Sequence, residues 1–141
     1  MNIKDVMNPK ADVISPSTTL KEAAEKMERD GVGFLPVGEN DELKGTVTDR
    51  DIVVRGVCKG KDVNSTSVGD IMTGQVLYCQ ESQDVDDVAR NMSEQQVRRM
   101  PVVDDNKRLV GVVSIGDMAQ HLSADVAGRI LKGVTAESRA A

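Results

Sequence analysis

Gly45-Thr46-Val47-Thr48-Asp49-Arg50-Asp51 decides the fold, because Gly111-Val112-Val113-Ser114-Ile115-Gly116-Asp117 repeats its layout 66 residues later. Each stretch is a short apolar strand ending in a hydroxyl, with a carboxylate three residues further on. That order places Thr48 or Ser114 where a strand hands over to a helix. Unpaired N–H groups and the helix dipole favour an anion at such a turn. Asp51 and Asp117 fall about one helical turn in, where a carboxylate accepts hydrogen bonds from a sugar diol. The same Ser/Thr-x-x-Asp spacing is also an ordinary capping box, in which hydroxyl and carboxylate satisfy the first amides of their own helix. A single copy does not separate the two readings, so the duplication carries the argument.

The duplication extends well beyond these stretches. Ile3-Lys4-Asp5-Val6-Met7-Asn8 recurs as Val68-Gly69-Asp70-Ile71-Met72-Thr73, 65 positions on. The same offset takes Leu20 onto Val85, Ala24 onto Ala89, Met27 onto Met92 and Pro36-Val37 onto Pro101-Val102. One extra residue around Asp104-Asp105-Asn106-Lys107 lengthens the offset to 66. Chance does not hold a register over so many positions, so the chain is a tandem pair of one unit.

Within each unit the periodicities predict the elements. Asp12-Val13-Ile14-Ser15 and Val76-Leu77-Tyr78-Cys79 read as short strands. Helices follow, opened by Thr19-Leu20-Lys21-Glu22 and by Asp84-Val85-Asp86-Asp87. Their apolar faces are Leu20, Ala23, Ala24, Met27 and Val85, Val88, Ala89, Met92, at the i, i+3, i+4, i+7 spacing. Gly31 stops the first of them. Val32–Val37 and Val97–Val103 carry a proline inside a strand pattern, which implies an edge or a break in pairing. Leu43–Thr48 and Leu109–Ser114 are the strands that feed second helices over 49–58 and 115–123. The order β-α-β-β-α, twice, predicts an α/β (α+β) fold with a mixed three-stranded sheet and helices in each half. The expected divisions are repeat 1 over 3–58, a connector over 59–67, repeat 2 over 68–123 and a helix with a disordered end over 124–141. A unit of this size is marginal alone, so the two halves are expected to form one inseparable module about an approximate two-fold axis.

Composition excludes several functions. The net charge of −5 argues against a phosphate-backbone binder, and Phe34 and Tyr78 are the only aromatics available for base stacking. No apolar run approaches a membrane span and no signal-peptide core is visible, which points to a cytoplasmic protein. Two cysteines do not make a secreted disulfide framework, and one histidine with no ligand spacing suggests no metal site. No nucleophile–base–orienter set is present, which argues against an enzyme. Cys79 aligns with Ile14 and reads as a core side chain. His121 reads as a surface residue, and the recurrent methionines read as packing.

Paired β-α-β-β-α units, each opening Asp-[Val/Ile]-Met and carrying [Leu/Met]-Pro-Val, then Gly-x-Val-[Thr/Ser]-x-x-Asp, resemble tandem cystathionine-β-synthase (CBS) domains, the Bateman module. The resemblance covers essentially residues 3–122, leaves no room for a catalytic domain, and is most like the small stand-alone bacterial members. It implies ligands containing adenosine: AMP, ADP or ATP first, with NAD or S-adenosylmethionine as further options, and no required cofactor. It also implies crossed pockets. Thr46, Thr48, Arg50 and Asp51 would combine with Leu77, Tyr78, Val97, Arg98 and Arg99. Val112, Ser114 and Asp117 would combine with Val13, Ile14, Val32, Gly33 and Phe34. Arginines gather only in the first pocket, which suits phosphate; Gly116, Gly33 and Phe34 stand at the matching places of the second.

The leading expectation is a nucleotide-sensing regulatory module that signals to a protein partner. The alternative is a ligand-free interaction or structural protein in which Asp51 and Asp117 are helix caps only. The family's pairing also implies a homodimer, with Ile52, Val53, Met118, Ala119 and Leu122 forming the apolar stripe that a second copy covers.

Overall fold

The computed structural model describes residues 1–9, 12–40 and 42–136. The expected disordered end of the tail lies outside the described residues. Two compact units emerge, one from Ala11–Val76 and one from Met1–Lys10 together with Leu77–Ala141. These are not the sequence repeats: the opening segment of each repeat is built into the unit that carries the body of the other.

In the Ala11–Val76 unit, helix α2 (Leu20–Asp30) starts on a complete capping box. The Glu22 amide donates to Thr19 Oγ1 at 3.1 Å and the Thr19 amide to Glu22 Oε1 at 3.0 Å. It ends on Gly31, whose φ of 66° is left-handed. Leu20, Ala23 and Met27 are buried as the periodicity predicts, but Ala24 is exposed. Strands β1 (Phe34–Glu39) and β2 (Glu42–Thr48) form an antiparallel hairpin with Phe34 opposite Thr48 and Pro36 opposite Thr46.

The strand expected over 12–15 shrinks to one parallel bridge, Ile14 to Val37, with the Ile14 amide donating to the Pro36 carbonyl and the Gly38 amide to Ile14. The next bond back along a parallel ladder would need the N–H of residue 36, and proline has none. The sheet of this unit is therefore two-stranded, where three strands were expected. Pro101 acts in the same way in the other unit, where β3 (Cys79–Gln80) begins only at the residue paired with Val102. There the mixed three-stranded sheet is complete: β3 runs parallel to β4 (Arg99–Val103), which is antiparallel to β5 (Leu109–Ser114).

The opening segments finish each core. Helix α1 (Ile3–Val6) places Ile3, fully buried, among Cys79, Val85, Met92 and Met118, and the Ile3 and Lys4 amides donate to the Gln83 and Glu81 carbonyls. In the other unit a 3-10 turn, Val68–Asp70, places Val68 and Ile71 among Ile14, Leu20 and Val47. Asn8 and Thr73 then bridge the outer edges of β5 and β2, at Val112 and Thr46. Gly45 and Gly111 make this possible. A Cβ on Gly45 would lie 2.7 Å from the Thr73 carbonyl oxygen and Met72 Sδ, and one on Gly111 would lie 2.7 Å from the Asn8 carbonyl oxygen. The Asp-x-Met motif and the glycine of the second strand are thus two sides of one contact.

The second helices differ from expectation. Asp49–Asp51 forms one α-helical turn (α3) that widens into a π-helical turn over Ile52–Val57, and α5 covers only Ile115–Ala119. Ile52 and Met118 are buried in the cores of their own units, so the predicted dimer stripe is not exposed as drawn; Val53, Val54 and Val57 are the apolar residues left outside. Helix α4 (Val85–Gln95) buries its whole predicted face. Helix α6 (Ala124–Thr135) buries Ile130 and Val134 in the same unit while Leu131 is exposed. Gly133 lets α6 approach Ser93 of α4 with no room for a Cβ.

Candidate functional site

Both hydroxyl–carboxylate turns form, with nearly identical geometry. Thr48 Oγ1 accepts from the Asp51 amide at 3.0 Å, and Asp51 Oδ2 accepts from the Thr48 amide at 2.9 Å. Ser114 Oγ accepts from the Asp117 amide and Asp117 Oδ2 from the Ser114 amide, each at 3.0 Å. The capping reading is therefore realised at both sites. It does not exhaust the carboxylates, since an ionised carboxylate has about four lone-pair positions and the cap uses one oxygen. The cap hydrogen bonds engage Oδ2 of each carboxylate, and no hydrogen bond engages Oδ1 among the described residues.

The two turns differ around Oδ1. Arg55, one helical turn on, places Nε 3.8 Å from Asp51 Oδ1 and donates from a terminal nitrogen to the Ile71 carbonyl at 3.1 Å. Asp51 is 16% exposed in this setting and Arg55 51%. The position matching Arg55 is His121, which is exposed and forms no side-chain hydrogen bond or ion pair among the described residues. The i,i+4 spacing of Asp51 and Arg55 was available in the sequence; the Ile71 carbonyl, sixteen residues away, carries no such signal.

The expected site residues divide between the units. Val13, Ile14, Val32, Gly33, Phe34, Thr46, Thr48, Arg50 and Asp51 belong to the Ala11–Val76 unit, and Leu77, Tyr78, Val97, Arg98, Arg99, Val112, Ser114 and Asp117 to the other. Inside the first, Phe34 lies opposite Thr48, and the Gly33 carbonyl accepts from the Asp49 amide at 3.0 Å. A Cβ on Gly33 would lie 2.7 Å from an Asp49 carboxylate oxygen. Inside the second, Arg99 lies opposite Ser114, and the Arg98 carbonyl accepts from the Ile115 amide at 2.9 Å.

Val13, Val32, Leu77 and Tyr78 are exposed apolar side chains, whereas Ile14 is a core residue at 7% exposure. Arg50, Arg98 and Arg99 are exposed, and the arginine ion pairs among the described residues are those of Arg29, Arg55 and Arg90. Arg50, Arg98 and Arg99 thus form no ion pair among the described residues.

Among the described residues no group of three or more His, Cys, Asp or Glu side chains is placed to hold a metal ion. Cys58 is exposed, and Cys79 is buried with its thiol pushed up to about 12 by desolvation. No helix of the described residues is long and apolar enough to cross a membrane.

Known proteins share this pattern. The CBS domain family matches residues 3–56 and again 68–124. The CBS domain-containing protein YhcV of Bacillus subtilis is 36% identical over 135 residues, spanning 95% of each chain. Hypoxic response protein 1 of Mycobacterium tuberculosis is 34% identical over 132 residues, spanning 93% of this chain and 92% of its own. A crystal structure of Hypoxic Response Protein I with two coordinated zinc ions superposes with a TM-score of 0.76 at 36% identity, covering 86% of this chain and 99% of the other. CBSX2 in complex with AMP superposes at 0.73 with 29% identity, covering 85% of this chain and 94% of the other. The CBS domain pair of MJ0100 in complex with 5′-methylthioadenosine and S-adenosyl-L-methionine superposes at 0.77 with 28% identity, covering 86% and 94%. The duplicated turns, the segments that close each core and these likenesses make this chain a tandem CBS-domain protein, homologous to YhcV and hypoxic response protein 1.

Proposed function

We propose that the protein is a regulatory sensor of adenosine-containing ligands, AMP, ADP or ATP first, that passes ligand occupancy to a protein partner rather than catalysing a reaction. The observation that carries this reading is the pair of capped carboxylates, each with Oδ2 spent on its helix and Oδ1 without a hydrogen bond among the described residues. Adenosine compounds bound to CBSX2 and to the MJ0100 domain pair supply the ligand class. Asp51 is assigned the ribose hydroxyls and Arg50 a phosphate, through paired N–H donors. In the other unit Leu77, Tyr78 and Val97 are assigned to an adenine ring and Arg98 or Arg99 to a phosphate. The second set of assigned residues, Asp117, Ser114 and Val112 with Val13, Val32, Gly33 and Phe34, has glycine and phenylalanine at the positions matching the arginines of the first. It suits a ligand with little charge.

Calorimetric titration with adenosine, AMP and ATP tests this. One strong site per chain is expected, tighter for AMP or ATP than for adenosine. Two equal sites, or loss of the strong one in Asp117→Ala but not in Asp51→Ala, would contradict the assignment.

A second reading is favoured by the closure of both capping boxes: a ligand-free interaction protein that keeps the fold. No response to any adenine nucleotide or to S-adenosylmethionine would put it ahead. In either reading a homodimer is proposed, now through Val53, Val54 and Val57 instead of the buried Ile52 and Met118. A monomer by light scattering at micromolar concentration would remove it.

A further inference from the structure

We infer that Arg55 is a positioning residue that couples the Asp51 carboxylate to the opening segment of the second repeat, so that occupancy at Asp51 is felt at Ile71–Thr73. The inference rests on the proposed reading of Asp51 as the ribose acceptor. One guanidinium serves both ends, with Nε 3.8 Å from Asp51 Oδ1 and a terminal nitrogen 3.1 Å from the Ile71 carbonyl. Arginine suits such a role because its donors are fixed in a planar fork: moving one end of the fork moves the other.

The Ile71 end is a structural joint. Ile71 is buried, the Met72 amide donates to the Val68 carbonyl at 2.8 Å, and Thr73 exchanges both backbone bonds with Thr46 on β2. The Asp51 end is held from its other side by the Thr48 amide. A diol drawn to Oδ1 therefore meets the one carboxylate oxygen that Arg55 also faces, and shifts the share of the guanidinium left for Ile71. The other unit has no counterpart. His121 stands at the position of Arg55 and Val6 at that of Ile71, and no bond joins them among the described residues. The coupling is a property of one half of the chain only.

Amide hydrogen exchange on the full chain tests this, with wild type, Arg55→Ala, Asp51→Asn and the double variant compared with and without AMP. Without AMP, Arg55→Ala is expected to speed exchange at Met72 and Thr73 by about 3–10-fold while leaving the β1–β2 amides of Leu35 and Val47 unchanged. Asp51→Asn is expected to give part of the same effect, and the double variant no more than Arg55→Ala, as for two residues acting through one contact. With saturating AMP, wild type is expected to gain protection at Met72 and Thr73. Arg55→Ala, given enough AMP to compensate for weaker binding, is expected to gain none. Equal AMP-induced protection in wild type and Arg55→Ala, or additive effects of the two substitutions without ligand, would overturn the coupling. If AMP fails to bind wild type, the ligand reading fails, and the ligand-free comparison still decides the coupling.

Discussion

The two units execute one plan with different residues, and the differences fall where each has different neighbours along the chain. Helix α2 ends on Gly31, φ 66°, and α4 ends on Gln96, φ 58°, at the matching position. Ala24 is exposed on α2, while its counterpart Ala89 is fully buried on α4, in the unit where α6 adds Ile130 to the same core. One unit has a two-stranded sheet and the other a three-stranded one. What the units share is more telling. Both keep the capping box at the strand-to-helix turn, and both keep a glycine where the opening segment docks. Shared features mark what the plan cannot lose, and divergent ones mark what each unit adapts.

The largest expected effect separates the units by their borrowed segments. Ile3→Ala removes a fully buried side chain that reaches its core from the far end of the sequence, at a cost of about 2–5 kcal/mol. The cysteines report on this directly. Cys58 is exposed in the Ala11–Val76 unit, and Cys79 is buried in the other, with a thiol that does not ionise near neutral pH. A thiol reagent is expected to label Cys58 alone in wild type, and both cysteines in Ile3→Ala. Cys79 staying as protected in Ile3→Ala as in wild type would break the claim that the opening segment completes the other repeat's core.

Gly45→Ala and Gly111→Ala come next, at about 1–3 kcal/mol each, because the added methyl meets a backbone carbonyl 2.7 Å away in both cases. Gly74→Ala, with open space around it, serves as the control and should move a urea midpoint little. A shift for one of the pair and not the other would show that the two docking contacts are not equivalent.

The helix ends give the smallest effect and one of opposite sign. Gln96→Gly should stabilise by about 1 kcal/mol by relieving a left-handed residue that carries a Cβ, and Gly31→Ala should destabilise by a similar amount. Thermal melts of the two variants check this. Destabilisation by Gln96→Gly would mean that the Gln96 side chain contributes more than its backbone costs.

Much of this was legible in the sequence because it rests on local chemistry. The duplication, the capping boxes at Thr19, Thr48 and Ser114, the Gly31 stop and the α4 face all follow from spacing within a turn or two. The role of each proline as a break in pairing was also readable. What the sequence did not disclose depends on partners far along the chain. Nothing near Ile3 says that it completes the core around Val85 and Met118, nor near Gly45 that Met72 and Thr73 press against it. The exposure of Ala24, the burial of Ile52 and Met118 and the widening of the helix after Asp51 likewise reflect tertiary neighbours, and amphipathic spacing alone put Ile52 and Met118 on an exposed stripe. At the candidate site the carboxylates follow from local spacing, while the bond from Arg55 to the Ile71 carbonyl depends on the fold.

The central claim is that the capped carboxylate of Asp51 also holds a ligand, and thermal melting with AMP tests it most directly. As a cap alone, Asp51→Asn should cost at most about 1 kcal/mol and change nothing else. As a ribose acceptor it should weaken AMP binding by about 10–100-fold, the loss of a charge-assisted hydrogen bond. A ligand at about one hundred times its dissociation constant adds about 2.7 kcal/mol to the folded state, and for a chain of this length each kcal/mol raises the midpoint by about 2–4 °C. Wild type is therefore expected to melt several degrees higher with millimolar AMP, and Asp51→Asn to lose most of that rise. Equal rises in the two proteins, or no rise in wild type, would contradict the account.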